Sequence, residues 1–232
     1  MSLSLLSTPF FGIGLTFIVA LLSLYFKKKI NYSLFNPMLF SMLSIIIILS
    51  LFEIPYENYA LGGDYIMKLL GPITVVLAVP LYQHHKILKE HAVAILLGIA
   101  LGSLVALLSV YTFSYIFSLD ELLMRSLLPR SVTTPIGIEA SKMLDALVGL
   151  TLLSIVITGT FGAIVASWVF KIFKIKTPIA KGVALGTSAH AIGTGRAFEL
   201  GTLEGAMAGL SIAITGVYTL VWLVLFQWSG LL

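Results

Sequence analysis

Long apolar runs alternate with short polar clusters along this chain. Thr8 to Phe26, Leu34 to Phe52, His91 to Phe117, Asp145 to Phe170 and Thr202 to Trp228 are almost free of charge. About 20 apolar residues in a helix match the hydrocarbon thickness of a bilayer, so each run predicts a membrane crossing. Three other stretches carry breaks. Tyr59 to Gln83 is interrupted at Gly62-Gly63-Asp64, Gly71-Pro72 and Pro80. In Glu121 to Met143, Pro129 and Pro135 bracket Ser131-Val132-Thr133-Thr134, and Pro178 to Leu200 contains a glycine-rich polar run from Gly186 to Glu199. Proline removes an amide and clashes with the preceding turn, so kinked or interrupted helices are expected at Gly71, Pro72, Pro80, Pro129, Pro135 and Gly195.

The pattern predicts an all-α polytopic membrane protein with about six to eight membrane segments, some of them broken or re-entrant. A single integral membrane domain, 1–232, is expected, with two spans in 1–57, a broken helix plus a span in 58–117, and two broken elements with two spans in 118–232. The two later broken elements each hold central hydroxyls and a carboxylate on the far side, Glu139 and Glu199. That likeness suggests an inverted-repeat transporter architecture, in which discontinuous helices meet near the midplane.

Composition fits this class. The 232 residues are 59% hydrophobic and 10% charged, with mean hydropathy +1.06, whereas a soluble domain is roughly 25% charged. The chain has no cysteine and its four histidines lack ligand spacing, so no metal or other cofactor is expected. The net charge of +4 comes from lysines clustered between apolar runs. This reads as membrane orientation, not as nucleic-acid binding. Phosphate loop, dinucleotide fingerprint, zinc-protease motif and nucleophile elbow are all missing, so no enzymatic activity is expected.

Lysine placement sets a topology. Lys27-Lys28-Lys29 follows the first run, which reads as a retained span with the amino terminus outside. If Glu121 to Met143 crossed fully, Lys171, Lys174, Lys176 and Lys181 would lie outside, against the positive-inside rule. A re-entrant hairpin with its tip at Ser131 to Thr134 keeps them inside.

The polar run near the carboxyl end is the leading candidate site, because irregular backbone at membrane depth survives only where protein or a water-filled cavity covers it. Arg196 is a candidate carboxylate anchor, since a guanidinium pairs with a carboxylate through two parallel hydrogen bonds. The alternative is an internal ion pair with Glu199, three residues on. His190, Glu199 and Glu139 are candidate proton carriers, although His190 also reads as a buried histidine bonded to a carbonyl and Glu139 has Lys142 nearby. Ser131, Thr133, Thr134, Thr187, Ser188, Gly193 and Thr194 complete the candidate substrate site. Single hydroxyls in membrane helices commonly bond back to the preceding turn, so their clustering at two break points is the signal. Arg130 reads as facing the outer entrance or as snorkelling to the interface. Gly98 with Gly102 and Gly205 with Gly209 are spaced for close helix contact, within one protomer or in a homodimer.

Three runs in order, Leu70 to Tyr82, Pro129 to Ile136 and Leu185 to Ala197, resemble the LrgB/CidB family of bacterial membrane proteins. The resemblance covers nearly the whole chain. It implies a multi-pass protein of the bacterial cytoplasmic membrane with one of two functions. One is transport of small monocarboxylates such as pyruvate or glycolate, here with proton coupling. The other is antiholin-like or holin-like control of murein hydrolase activity and autolysis together with an LrgA/CidA-like membrane partner. Ala191 stands where the family often has glycine, which leaves Gly193 and Gly195 as the expected helix breakers.

Overall fold

In a computed structural model the described residues are 6–30, 37–69, 72, 75–76 and 78–232, and they form helices and no strand. The helices are α1 (Pro9–Ile30), α2 (Pro37–Leu51), α3 (Tyr56–Met67), α4 (Ala78–Gln83), α5 (His85–Glu90), α6 (Ala92–Ile116), α7 (Glu121–Leu127), α8 (Thr134–Met143), α9 (Val148–Ile172), α10 (Pro178–Leu200) and α11 (Thr202–Trp228). A 3-10 turn, Leu128–Ser131, lies between α7 and α8. Among the described residues α1, α6, α9 and α11 are long and apolar enough to cross a bilayer, and α2 is apolar but shorter. Leu101, Phe161 and Val217 on these helices are more than half exposed. Such surface is stable only against lipid or protein, so this is an all-α polytopic membrane protein.

The described chain divides into two compact units, residues 1–76 and 77–232. In the first, α1 packs on α2 and α3. A Cβ at Gly12 would run into the Tyr59 carbonyl, and one at Gly62 into the Pro9 carbonyl, so the two helices touch backbone to backbone. Gly62-Gly63-Asp64 therefore does not interrupt α3 as expected. Glycine serves here as the small residue that admits a neighbouring helix. Of the other expected breaks, Gly71 lies outside the described residues, as does the Asn31-Tyr32-Ser33 segment. Pro80 lies within the described helical stretch α4 and does not end it.

The second unit repeats one motif twice, a helical hairpin followed by a long helix. In the first hairpin, α7 runs in, the Leu128–Ser131 turn reverses the chain, and α8 returns. Its arms are tied at the base. Arg125 donates to the Leu144 carbonyl at 3.5 Å, Ser126 Oγ accepts from the Leu147 amide at 2.9 Å, and Thr151 Oγ1 donates to the Ser126 carbonyl at 2.8 Å. Pro129 sits inside the 3-10 turn and Pro135 at the start of α8, where each marks a boundary as expected.

The second hairpin is α10. Its single non-helical residue is His190, at φ 44° and ψ −127°. Residues 178–189 form the inward arm and 191–200 the return. A Cβ at Gly193 would collide with the Leu185 carbonyl, whereas eight residues along a straight helix are about 12 Å apart. At the base, Lys181 and Leu200 line one recess. Gly195 lies in the return arm with open space around its Cβ position, so the expected break at Gly195 falls instead at His190.

The hairpins enter from opposite ends of the unit. The first has its base near the carboxyl end of α11, where Gln227 donates to the Met143 carbonyl at 3.5 Å. The second has its base beside Lys171, Lys174 and Lys176, at the carboxyl end of α9. In α11, Ala208 meets Gly186 as Glu204 meets Gly182, so α11 runs parallel to the inward arm of α10. In α9, Gly162 meets Ala189 while Phe170 packs with Leu185, so α9 runs antiparallel to it. The two hairpin-plus-helix motifs are thus inverted copies. Across the unit, Trp222 Nε1 donates to Ser103 Oγ at 3.2 Å and braces α11 against α6.

Candidate functional site

The tips of the two hairpins meet. His190 Nε2 lies 3.0 Å from the Arg130 carbonyl oxygen, and a carbonyl only accepts, so Nε2 carries the proton and donates. His190 is 3% exposed, and its other ring nitrogen, Nδ1, is buried without a partner. The backbone there costs energy. A positive φ with ψ near −127° is the first corner of a type II′ turn, a position that favours glycine, and a side chain held in it costs about 1–3 kcal/mol. The bond to Arg130 and the packing of both arms hold His190 in place.

Beside this junction lies a cavity of about 1040 Å³ lined by α6, α9, the inward arm of α10 and the first hairpin's tip. Arg130 and Ser131 line its polar end together with Ser109. Arg130 is half-buried and its guanidinium donates to Ser109 Oγ at 3.0 Å. Among the described residues no carboxylate pairs with it. Thr187 and Ser188 line the same cavity; Thr187 Oγ1 is buried without a partner, whereas Ser188 Oγ donates back to the Ala184 carbonyl at 2.7 Å. From there the walls are mostly apolar, ending near His91, Ile175 and Thr177 at the lysine-bearing end.

The remaining sequence candidates scatter around this centre. Thr194 is buried with an unpartnered hydroxyl on the return arm. Gly193 is the contact point between the two arms of α10. Thr133 is the residue before α8 and makes no capping bond, and Thr134 is exposed in its first turn. Arg196 is not at the junction. Its Nη1 donates to Glu199 at 2.5 Å and its Nη2 to Ser167 at 2.9 Å, near the base of the hairpin. The ion-pair alternative is the observed geometry. Glu139 pairs with Lys142 at 2.9 Å on the exposed face of α8.

The cation at the junction is Arg130, which the sequence reading left at an entrance or an interface. Its signal was available. It sits between two prolines that force a reversal, and a cation in the reversal of a re-entrant hairpin is carried towards the midplane, not away from it.

The LrgB-like family model matches residues 16–228. The chain belongs to that family. It is 37% identical over 216 residues to the uncharacterized protein YwbG of Bacillus subtilis (strain 168), a match covering 91% of this chain and 95% of the relative. No solved structure matches. The inverted hairpins and the Arg130 cavity lie within the part of the chain matched as LrgB-like.

Proposed function

We propose that this LrgB-like protein is a carrier of small monocarboxylates of the pyruvate and glycolate type, coupled to protons, and that Arg130 binds the carboxylate. The observation that carries this reading is the half-buried guanidinium facing a cavity with no carboxylate of its own. A charge partly taken out of water without a counter-charge costs several kcal/mol, and an anionic substrate offsets that cost through charge-assisted hydrogen bonds. Two more features act in the same direction. The return arms, α8 and residues 191–200, both begin at the junction, so their free amides and positive dipole ends favour an anion there. Thr187 Oγ1 is a buried hydroxyl awaiting a partner on the cavity wall.

Of the three candidate proton carriers, Glu139 and Glu199 sit at hairpin bases in ion pairs with Lys142 and Arg196, whereas His190 stands at the junction. His190 is therefore the proposed proton carrier. Hairpins that enter from opposite ends and touch at their tips are suited to exposing one site alternately to each side.

Uptake of radiolabelled pyruvate into proteoliposomes tests this reading. Arg130→Gln removes the guanidinium but keeps the carbonyl that His190 uses, so transport should fall while the hairpin contact remains. His190→Gln should abolish accumulation driven by an imposed pH gradient and spare exchange. Transport by Arg130→Gln at the wild-type rate would overturn the assignment. No uptake by the wild-type chain, with or without an LrgA-like partner, would leave the regulatory function as the better account.

A further inference from the structure

We propose that the lysine-lined recess at the base of the second hairpin binds the phosphodiester headgroup of an anionic phospholipid. The inference goes beyond the carrier reading and does not depend on it. The recess measures about 440 Å³, and four cations line it, Lys171, Lys174, Lys176 and Lys181. No ion pair among the described residues includes any of the four. Glu199, next to the lining residue Leu200, is engaged by Arg196, whose Nη2 donates to Ser167 on the recess wall. Lysines at the end of a membrane helix ordinarily need no ligand, because they mark orientation and complement the carboxyl-terminal dipole. That accounts for Lys171, in the last turn of α9. It does not account for Lys181. This residue is half-buried in the first turn of α10, where the helix dipole repels a cation, and it shares the recess with three like charges. An anion in the recess turns that repulsion into charge-assisted hydrogen bonds.

The level and the flanks of the recess favour a lipid over a soluble anion. Lys171 lies at the end of the span-length helix α9, so the recess stands where hydrocarbon gives way to headgroups. Trp168, Ile172 and Phe173, neighbours of the lining residues, are at least half exposed. They offer acyl chains an apolar surface beside the cations, and tryptophan favours that interfacial level. Basic pockets between membrane helices are a recurrent kind of headgroup site. Lys181 stands at the start of the inward arm, Leu200 ends the return arm, and Lys171 belongs to the last turn of α9. One headgroup held by this lining therefore bridges the base of the hairpin to its neighbouring helix.

The test is native mass spectrometry of the full-length protein in neutral detergent, titrated with phosphatidylglycerol or with phosphatidylcholine of the same acyl chains. Phosphatidylglycerol should bind at least about tenfold tighter, since each lysine at an anionic surface is worth about fivefold. Lys174→Gln and Lys181→Gln should each lower its affinity about fivefold, and the pair about 25-fold. Lys28→Gln with Lys29→Gln, exposed in the last turn of α1, should lower it less than about twofold, because those lysines line no such recess. Equal binding of the two lipids, or an equal loss from the Lys28 and Lys29 pair, would reduce the lysines to diffuse surface charge and overturn the site. Displacement of phosphatidylglycerol by inorganic phosphate or glycerol phosphate at comparable concentration would assign the recess to a soluble phosphate and overturn the lipid. Displacement by pyruvate would make it an entrance for substrate and also overturn the lipid. The headgroup comparison on the wild-type chain and the exposed Lys174→Gln variant decide the matter even if Lys181→Gln fails to fold.

Discussion

The two hairpins of the second unit solve the same problem with different chemistry. The first reverses through a proline-containing 3-10 turn whose tip exposes a guanidinium to the cavity. The second reverses at one residue, His190, held in a glycine-favouring conformation and buried. One tip is built from residues that prefer to turn, and the other from a residue that must be made to. Strain of this kind persists only where the surroundings over-determine it, and it concentrates at functional sites. On the proposed carrier reading, binding falls to the first tip and movement to the second.

The sharpest way to break that division is to exchange charges at the two arginines. Arg130 faces the cavity and Arg196 pairs with Glu199 at a hairpin base. Arg130→Gln should lower substrate affinity about 10- to 100-fold, the worth of a charge-assisted hydrogen bond or two. Arg196→Gln, and still more the double change with Glu199→Gln, should lower it less than about fivefold, because an exposed pair contributes at most about 1 kcal/mol. Calorimetry on folded protein separates the two. A larger loss from Arg196→Gln would move the anchor back to the second hairpin.

The return arms differ in what they lean on, and this predicts the next largest effect. Gly193 packs against the Leu185 carbonyl, which is backbone and cannot move aside, while Gly137 in the first hairpin faces the terminal Cδ1 of Ile155. Gly193→Ala should cost about 3 kcal/mol by overpacking. Gly137→Ala should cost less than about 1 kcal/mol, since Ile155 can change rotamer and alanine favours the helix. Melting temperatures in detergent would show the order, and equal losses would mean the second hairpin is not closed at Leu185.

Much of this was legible in the sequence, and what was not has a physical reason. Four of the five long apolar runs form helices of span length among the described residues, because bilayer thickness fixes their length, and α11 coincides with the expected Thr202 to Trp228. The first reversal was legible because proline is unambiguous. The second was misassigned to Gly195 because glycine permits a break without requiring one, and the break depends on a long-range bond to Arg130. The same long-range fact hid the site's cation. The flanking Pro129 and Pro135 point Arg130 towards the midplane, but that it faces the second hairpin's tip depends on the long-range bond to His190.

At His190 two substitutions isolate the strain from the bond. His190→Ala and His190→Gly both leave the Arg130 carbonyl without its donor, but only glycine relaxes the positive φ. The glycine variant should be more stable than the alanine variant by about 1–2 kcal/mol, against the usual preference of helical segments for alanine. An alanine variant as stable as the glycine variant would mean that the second tip is not strained, and the contrast between the two hairpins would lose its basis.

The smallest effect is at Gly195, and it tests the same contrast from the other side. Gly195 lies inside the return arm, nothing stands within 4 Å of its Cβ position, and the only non-helical residue of α10 is five residues earlier. Alanine there removes conformational freedom from the unfolded chain without a clash, so Gly195→Ala should stabilise the protein by about 0.5–1 kcal/mol. The sign matters more than the size. Two residues away Gly193→Ala should destabilise, so a pair of glycines with similar sequence surroundings should respond in opposite directions because one faces backbone and the other open space. A lower melting temperature for Gly195→Ala would mean that the helix breaks at the glycine after all, and that His190 takes its conformation without carrying the turn.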